Sequence, residues 1–117
     1  MFELMVEDSF SAAHQLRKYK GKCENLHGHT FKVQVFLKGE NLDDAGMMMD
    51  FHEIKAKLKA ILNEFDHGFL NDLFYFKEIN PTSENLAKLI FGKLKEGLPQ
   101  ITKVTVWESP TAAASYC

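Results

Sequence analysis

TFKVQVFLK, Thr30 to Lys38, alternates apolar with polar side chains: Phe31, Val33, Val35 and Leu37 against Lys32, Gln34 and Lys38. Successive residues of a strand point to opposite faces, so the stretch predicts a strand with one face in a core. Upstream, Phe2, Leu4, Val6 and Phe10 alternate with Glu3, Glu7 and Ser9, which predicts a first strand ended by His14. Arg17 to Lys22 is a basic turn or loop around Gly21, and Gly39 to Gly46 is a polar loop. The period then changes from two to three and four. Asp50 is placed to cap a helix, with Glu53 as its capping-box partner. Phe51, Ile54, Leu58, Ile61, Leu62 and Phe65 form one apolar stripe, and Asp66-His67-Gly68 is expected to end that helix. Phe69 to Asn80 is an irregular aromatic connection. Pro81 and Thr82 open a second helix, with Glu84 in its first turn, where an acid favours the dipole. Leu86, Leu89, Ile90 and Leu94 make its stripe, and Gly97 with Pro99 stops it. Val104, Val106 and Trp107 predict a third strand, and Ala112 to Cys117 a short fourth.

The order is strand, strand, helix, helix, strand, strand. Consecutive strands with short links pair antiparallel, and two single-striped helices lie on one face of the sheet. The expected class is α+β: one domain over residues 1–117, with a four-stranded antiparallel sheet covered on one side. An open sheet leaves two edges with unpaired backbone groups. Pairing of edges between chains, closing a barrel, is the economical way to satisfy them.

Composition removes several classes of function. Among 117 residues, 14 are basic and 16 acidic, for a net charge of −2. That balance argues against a nucleic-acid binder held by phosphate contacts. The 45% hydrophobic fraction fits a globular domain and excludes a disordered one. No apolar run is long enough to span a membrane. The N-terminus, MFELMVEDSF, carries acids where an export signal needs bases. Two cysteines, Cys23 and Cys117, do not make a disulfide scaffold, so the expected location is the reducing cytoplasm.

His27-Gly28-His29 is the sharpest local feature. Histidines at i and i+2 entering a strand project from one side, so both rings can meet one ion. They share parity with Phe31 and Val33 and so sit at the rim of the buried face. His14, ending the first strand, can reach them across a hairpin. Three histidines with an open position describe a catalytic zinc site; the plainer reading is a pair of surface histidines. Cys23, four residues before His27, is a base or nucleophile if its thiolate is stabilised, or a buried inert thiol. In Asp66-His67 the acid can set the imidazole's tautomer and basicity, or the histidine can serve a helix C-terminus. Glu108 ends a strand, as a solvated rim carboxylate or, if buried, an acceptor for the amidine-like edge of a heterocycle. Thr82, Ser83 and Glu84 are capping residues in the simplest reading.

The ordered set FSAAH (10–14), CENLHGH (23–29), MDF (49–51), DH (66–67), NPTSEN (80–85) and WE (107–108) resembles the pyruvoyl-tetrahydropterin synthase family over essentially the whole chain. Its C-x-x-x-H-G-H spacing resembles the family's queuosine branch. The resemblance implies the tunnelling fold, whose ββααββ order matches the periodicities, with trimers stacked into a homohexamer and sites at the seams. It implies that His14, His27 and His29 bind zinc, that Cys23 is the base, and that Asp66 and His67 are the partner acid/base pair. Glu108 is then the anchor of the pterin ring, supported by Thr82, Ser83 and Glu84. The implied reaction converts 7,8-dihydroneopterin triphosphate to 6-carboxytetrahydropterin, releasing acetaldehyde and triphosphate. Arg17, Lys18, Lys20 and Lys22 are candidate cations for the triphosphate, or simply a solvated basic loop. Glu24 adds a second possibility. A folate-type class of the family resembles E-x-x-H-G-H and forms 6-hydroxymethyl-dihydropterin, and this chain carries both Cys23 and Glu24. A metal- or pterin-binding protein without turnover is the rival from another class.

Overall fold

A computed structural model describes residues 1–17 and 25–117. Strand β1 runs Phe2–His14, β2 His27–Gly39, helix α1 Phe51–Leu62, α2 Ser83–Gly97, β3 Ile101–Ser109 and β4 Ala112–Tyr116. The four strands form one sheet in the order β1-β2-β3-β4, every neighbour antiparallel, as the alternation predicts. Helix α1 packs against β1, and α2 against β3 and β4, on the same face. No helix among the described residues is long and apolar enough to cross a membrane.

The core lies between helices and sheet. Val6, Phe10, Phe31, Val33, Val35, Leu37, Val104 and Val106 face Ile54, Leu58, Phe65, Leu86, Ile90 and Leu94, all buried. Phe10 stacks on Phe31 with ring centroids 5.0 Å apart, and Phe65 closes on Phe10 at 5.5 Å. Each such side chain contributes about 1.5–3 kcal/mol by leaving water. A register shift between Phe36 and Leu37 pairs Leu37 with Ile101, skipping Thr102. This bulge turns Ile101 inward although its parity is opposite to that of Val104. The sheet's other face is polar and carries no helix among the described residues. There Trp107 donates to Gln34 (2.9 Å), Gln34 donates to Glu7 (2.9 Å), and the Lys32 ammonium lies 4.9 Å over the Trp107 ring.

Three local expectations need correcting. Asp50 does cap α1, but its side chain accepts from the backbone N–H of His52, and Glu53 bonds the cap through its own backbone. Phe51 is half-exposed, outside the buried stripe. Helix α1 ends at Leu62, not at Asp66-His67-Gly68: tightened turns follow, which bury Phe65 and deliver His67 in a left-handed conformation, φ +58°. The connection after it holds two short 3₁₀ turns, Leu70–Asp72 and Phe74–Phe76.

Candidate metal centre and its acid/base pair

The register of β1 on β2 pairs His14 with His27 and Ala12 with His29. All three imidazoles therefore emerge at one end of the helix-covered face, beyond Phe10 and Phe31. A second bulge completes the group. Between Trp107 and Ser109 the β3–β4 register skips Glu108, and a residue displaced from the ladder in this way is re-aimed. Glu108 Oε1 lies 3.1 Å from His14 Nε2 and 3.1 Å from His29 Nε2. The ligand atoms of His14, His27, His29 and Glu108 all fall within 4.8 Å of one another.

The hydrogen bonds around this group set its chemistry. His14 Nδ1 faces the carbonyl of Pro81 at 2.8 Å, and His27 Nδ1 faces that of Asn25 at 2.8 Å. A carbonyl only accepts, so both rings carry their proton on Nδ1 when neutral. Their Nε2 lone pairs then meet each other at 3.0 Å, with the Glu108 carboxylate beside them. Three acceptors aimed at one point repel unless a cation lies between them. His29 Nε2 is buried and, despite its nearness to Glu108, is not aligned with it for a hydrogen bond. Burial holds the His29 imidazole below its usual pKa against the opposing pull of Glu108, with the neighbouring His27 and His14 adding to the lowering. It stays a lone-pair donor to lower pH than an exposed histidine. The donor set fits a divalent metal bound by imidazole nitrogen, each ring oriented by a carbonyl behind it.

Asp66 and His67 sit against the outer edge of β1. Asp66 Oδ1 accepts from the Ser11 backbone N–H at 2.9 Å, while the His67 backbone N–H donates to the Ser11 carbonyl at 2.6 Å. Asp66 Oδ2 takes His67 Nδ1–H at 3.0 Å, which leaves His67 Nε2 free to accept or deliver a proton. The Ser11 N–H is the main reason the Asp66 carboxyl is held below the usual range, with His67 contributing. His67 and His29 line one depression of about 490 Å³. Glu108 lines a second, of about 440 Å³, with Thr30, Lys32 and Trp107.

Full-length comparison with known proteins decides the lineage. The family model for 6-pyruvoyl tetrahydropterin synthase matches residues 3–117. The chain belongs to the 6-pyruvoyl tetrahydropterin synthase family. It is 43% identical to the 6-carboxy-5,6,7,8-tetrahydropterin synthase of Synechocystis sp., covering 99% of this chain and 93% of that one. To the Bacillus subtilis enzyme of the same name it is 35% identical, covering 99% and 83%. A dihydroneopterin monophosphate aldolase of Pyrococcus furiosus is 35% identical, covering 90% and 88%. Among solved structures, the Caenorhabditis elegans 6-pyruvoyl tetrahydropterin synthase superposes with a TM-score of 0.89 at 36% identity, covering 98% and 94%. The chain is thus an enzyme similar to carbon–carbon lyases of pterin synthesis.

Within the family's frame, the remaining site residues fall as follows. Thr82 caps α2 by accepting from the Asn85 N–H at 3.1 Å. Ser83 Oγ is buried with no hydrogen-bond partner among the described residues, and Glu84 is exposed. Both lie just after Pro81, whose carbonyl orients His14. Arg17 donates its guanidinium to the carbonyls of Phe76 and Ile79. Cys23 and Glu24, with Lys18, Lys20 and Lys22, lie outside the described residues, and Cys117 is exposed. The even parity that Glu108 shares with Val104 and Val106 is the sequence signal that puts it on the histidines' side of the sheet.

Proposed function

We propose that the chain is a zinc-dependent lyase that converts 7,8-dihydroneopterin triphosphate and one water to 6-carboxytetrahydropterin, releasing acetaldehyde and triphosphate. The observation that carries the metal-dependent reading is the meeting of the His14 and His27 lone pairs, 3.0 Å apart, beside Glu108. The substrate reading is supported by full-length likeness to 6-carboxy-5,6,7,8-tetrahydropterin synthases. His14, His27 and His29 would hold the zinc. Bound there, zinc supplies Lewis acidity toward a substrate hydroxyl. Glu108 accepts the amidine edge of the pterin ring on the oxygen turned from the histidines. Cys23 takes a proton from a side-chain carbon, and His67, oriented by Asp66, exchanges a proton through Nε2.

A second reading has its own support. Glu24 follows Cys23 directly, and a dihydroneopterin monophosphate aldolase is among the 35%-identical relatives. Under it, the same substrate yields 6-hydroxymethyl-dihydropterin, alone or beside the first product. The test is mass spectrometry of products after incubating zinc-loaded protein with dihydroneopterin triphosphate. Carboxytetrahydropterin is expected, with turnover falling about 10²–10⁴-fold in Cys23→Ala. Hydroxymethyl-dihydropterin that survives Cys23→Ala and vanishes in Cys23→Ala/Glu24→Ala assigns the second activity. Pterin binding without either product leaves a binding protein.

A further inference from the structure

Among the described residues the outer edge of β1 near the metal end is met by no strand, only by an isolated parallel bridge between Ala13 and Phe69, yet its backbone groups are satisfied in an unusual way. In a strand, alternate residues present N–H and C=O to the same edge. Here those residues are Ser11, Ala13, Gln15 and Arg17. Ser11 is met by the Asp66 side chain and the His67 N–H, and the Ala13 N–H by the Gly68 carbonyl at 2.9 Å. Gln15 is met by a side-chain amide: Asn71 Oδ1 accepts its N–H at 2.9 Å and Asn71 Nδ2 donates to its carbonyl at 2.8 Å. Arg17 receives the same treatment from Asn80, at 2.9 and 2.8 Å. Two asparagines therefore imitate strand pairing on either side of one residue, and carry the edge beyond the last residue of β1.

His14 is the ring that this edge holds. Its backbone lies between Ala13, fixed by Gly68, and Gln15, fixed by Asn71. Its imidazole Nδ1 donates to Pro81, the residue after Asn80. Asn80 is itself held from behind, because Asn85 Nδ2 donates to its carbonyl at 2.8 Å. Asn71 is about nine-tenths buried, so little water can replace its bonds. Neither asparagine is a member of the group of metal-ligating atoms.

We propose that Asn71 and Asn80 are positioning residues for the metal centre: by clamping Gln15 and Arg17 they hold His14 in the orientation, and with the proton on Nδ1, that leaves Nε2 for a metal. The consequence for metal affinity rests on the zinc reading above; the orientation itself does not. Outer partners of metal-binding histidines are worth about 10- to 100-fold in affinity.

The decisive variants are Asn71→Asp and Asn80→Asp. A carboxylate of the same shape still accepts the N–H but cannot donate to the facing carbonyl. Two readouts are needed. Zinc affinity is measured by competition with a chromophoric chelator, and each variant is expected to bind about 10- to 100-fold more weakly. The His14 tautomer is read in metal-free protein from imidazole nitrogen shifts by NMR; the parent is expected at Nδ1–H and the variants as a mixture. Leu94→Ala, a core truncation about three turns further along α2, is expected to lower stability and leave both readouts unchanged. Should an aspartate variant fail to fold, Asn71→Ala and Asn80→Ala carry the same test. Zinc affinity within twofold of the parent's, or an unchanged His14 tautomer, in both variants overturns the proposal. A parent that takes no zinc sinks the metal reading alone, and the tautomer still decides the positioning.

Discussion

His27 and His29 enter β2 on the same side, and each brings a nitrogen to a group that His14 and Glu108 complete. Metal analysis of purified protein is expected to find about one zinc per chain. Either His27→Ala or His29→Ala is expected to abolish both metal and turnover; full occupancy in either variant would remove that residue from the ligand set. At Asp66 the prediction concerns acid. Its carboxyl is held below the ordinary range, chiefly by the Ser11 N–H. A depressed carboxylate stabilises the fold above its unfolded pKa, about 3.9, and loses that contribution as pH falls through the lower folded value. Urea midpoints of the parent and Asp66→Ala should therefore differ at pH 6 and converge below about pH 4. A gap that widens on acidification would contradict the Ser11–Asp66 bond. His67 carries a different tension. Its φ of +58° suits glycine better than a histidine, and its side chain is 84% exposed. His67→Gly removes a proton-transfer group while relieving a backbone strain of about 1 kcal/mol. The expected result is an enzyme with turnover down about 10²–10⁴-fold that melts no lower than the parent, and a clear loss of stability would show the strain is absent.

The elements were legible wherever periodicity was clean. Thr30 to Lys38 and the stripe Ile54, Leu58, Leu62 announce β2 and α1 because each buries one face and nothing else. The capping expectation held in kind at α2, where Thr82 accepts from Asn85. Thr82→Ala is expected to cost about 1 kcal/mol in thermal or urea unfolding, and a neutral result would mean the cap contributes nothing. Bulges were not legible. Ile101 turns inward only through a register shift, which depends on the partner strand and leaves no local mark. The His14–His27 pairing could be guessed from a hairpin, but the bond from His14 to Pro81 joins residues 67 positions apart. The asparagine clamps were missed for the same reason. Asn71 lay in a stretch with no period, and Asn80 belonged to a motif whose helix-opening role drew attention from its side chain.

As a whole, the chain is an elongated slab of about 53 × 23 × 22 Å, with helices on one face and Lys32, Gln34, Thr105 and Trp107 on the other. β1 and β4 are the outer strands, and the segment 66–80 closes the β1 edge only from Ser11 onward. We expect this open sheet to pair with further copies into a homohexamer built from two trimers, with Asp66-His67 of one chain serving a metal group of its neighbour. Light scattering should give a mass near six chains. Co-refolded Cys23→Ala and His67→Ala, each inactive alone, should then recover partial activity once mixed oligomers are demonstrated. A fully active monomer ends the idea. The edge of β1 along Phe2 to Phe10, unpaired by any strand among the described residues, has a further consequence, for bench practice. If neighbouring chains complete each site along that edge, catalytic rate per milligram is not a constant of the molecule. It should fall steeply once the stock is diluted past the assembly's dissociation constant, and the melting temperature should drift down with it. Assays run at nanomolar enzyme would then understate an activity that is complete at micromolar.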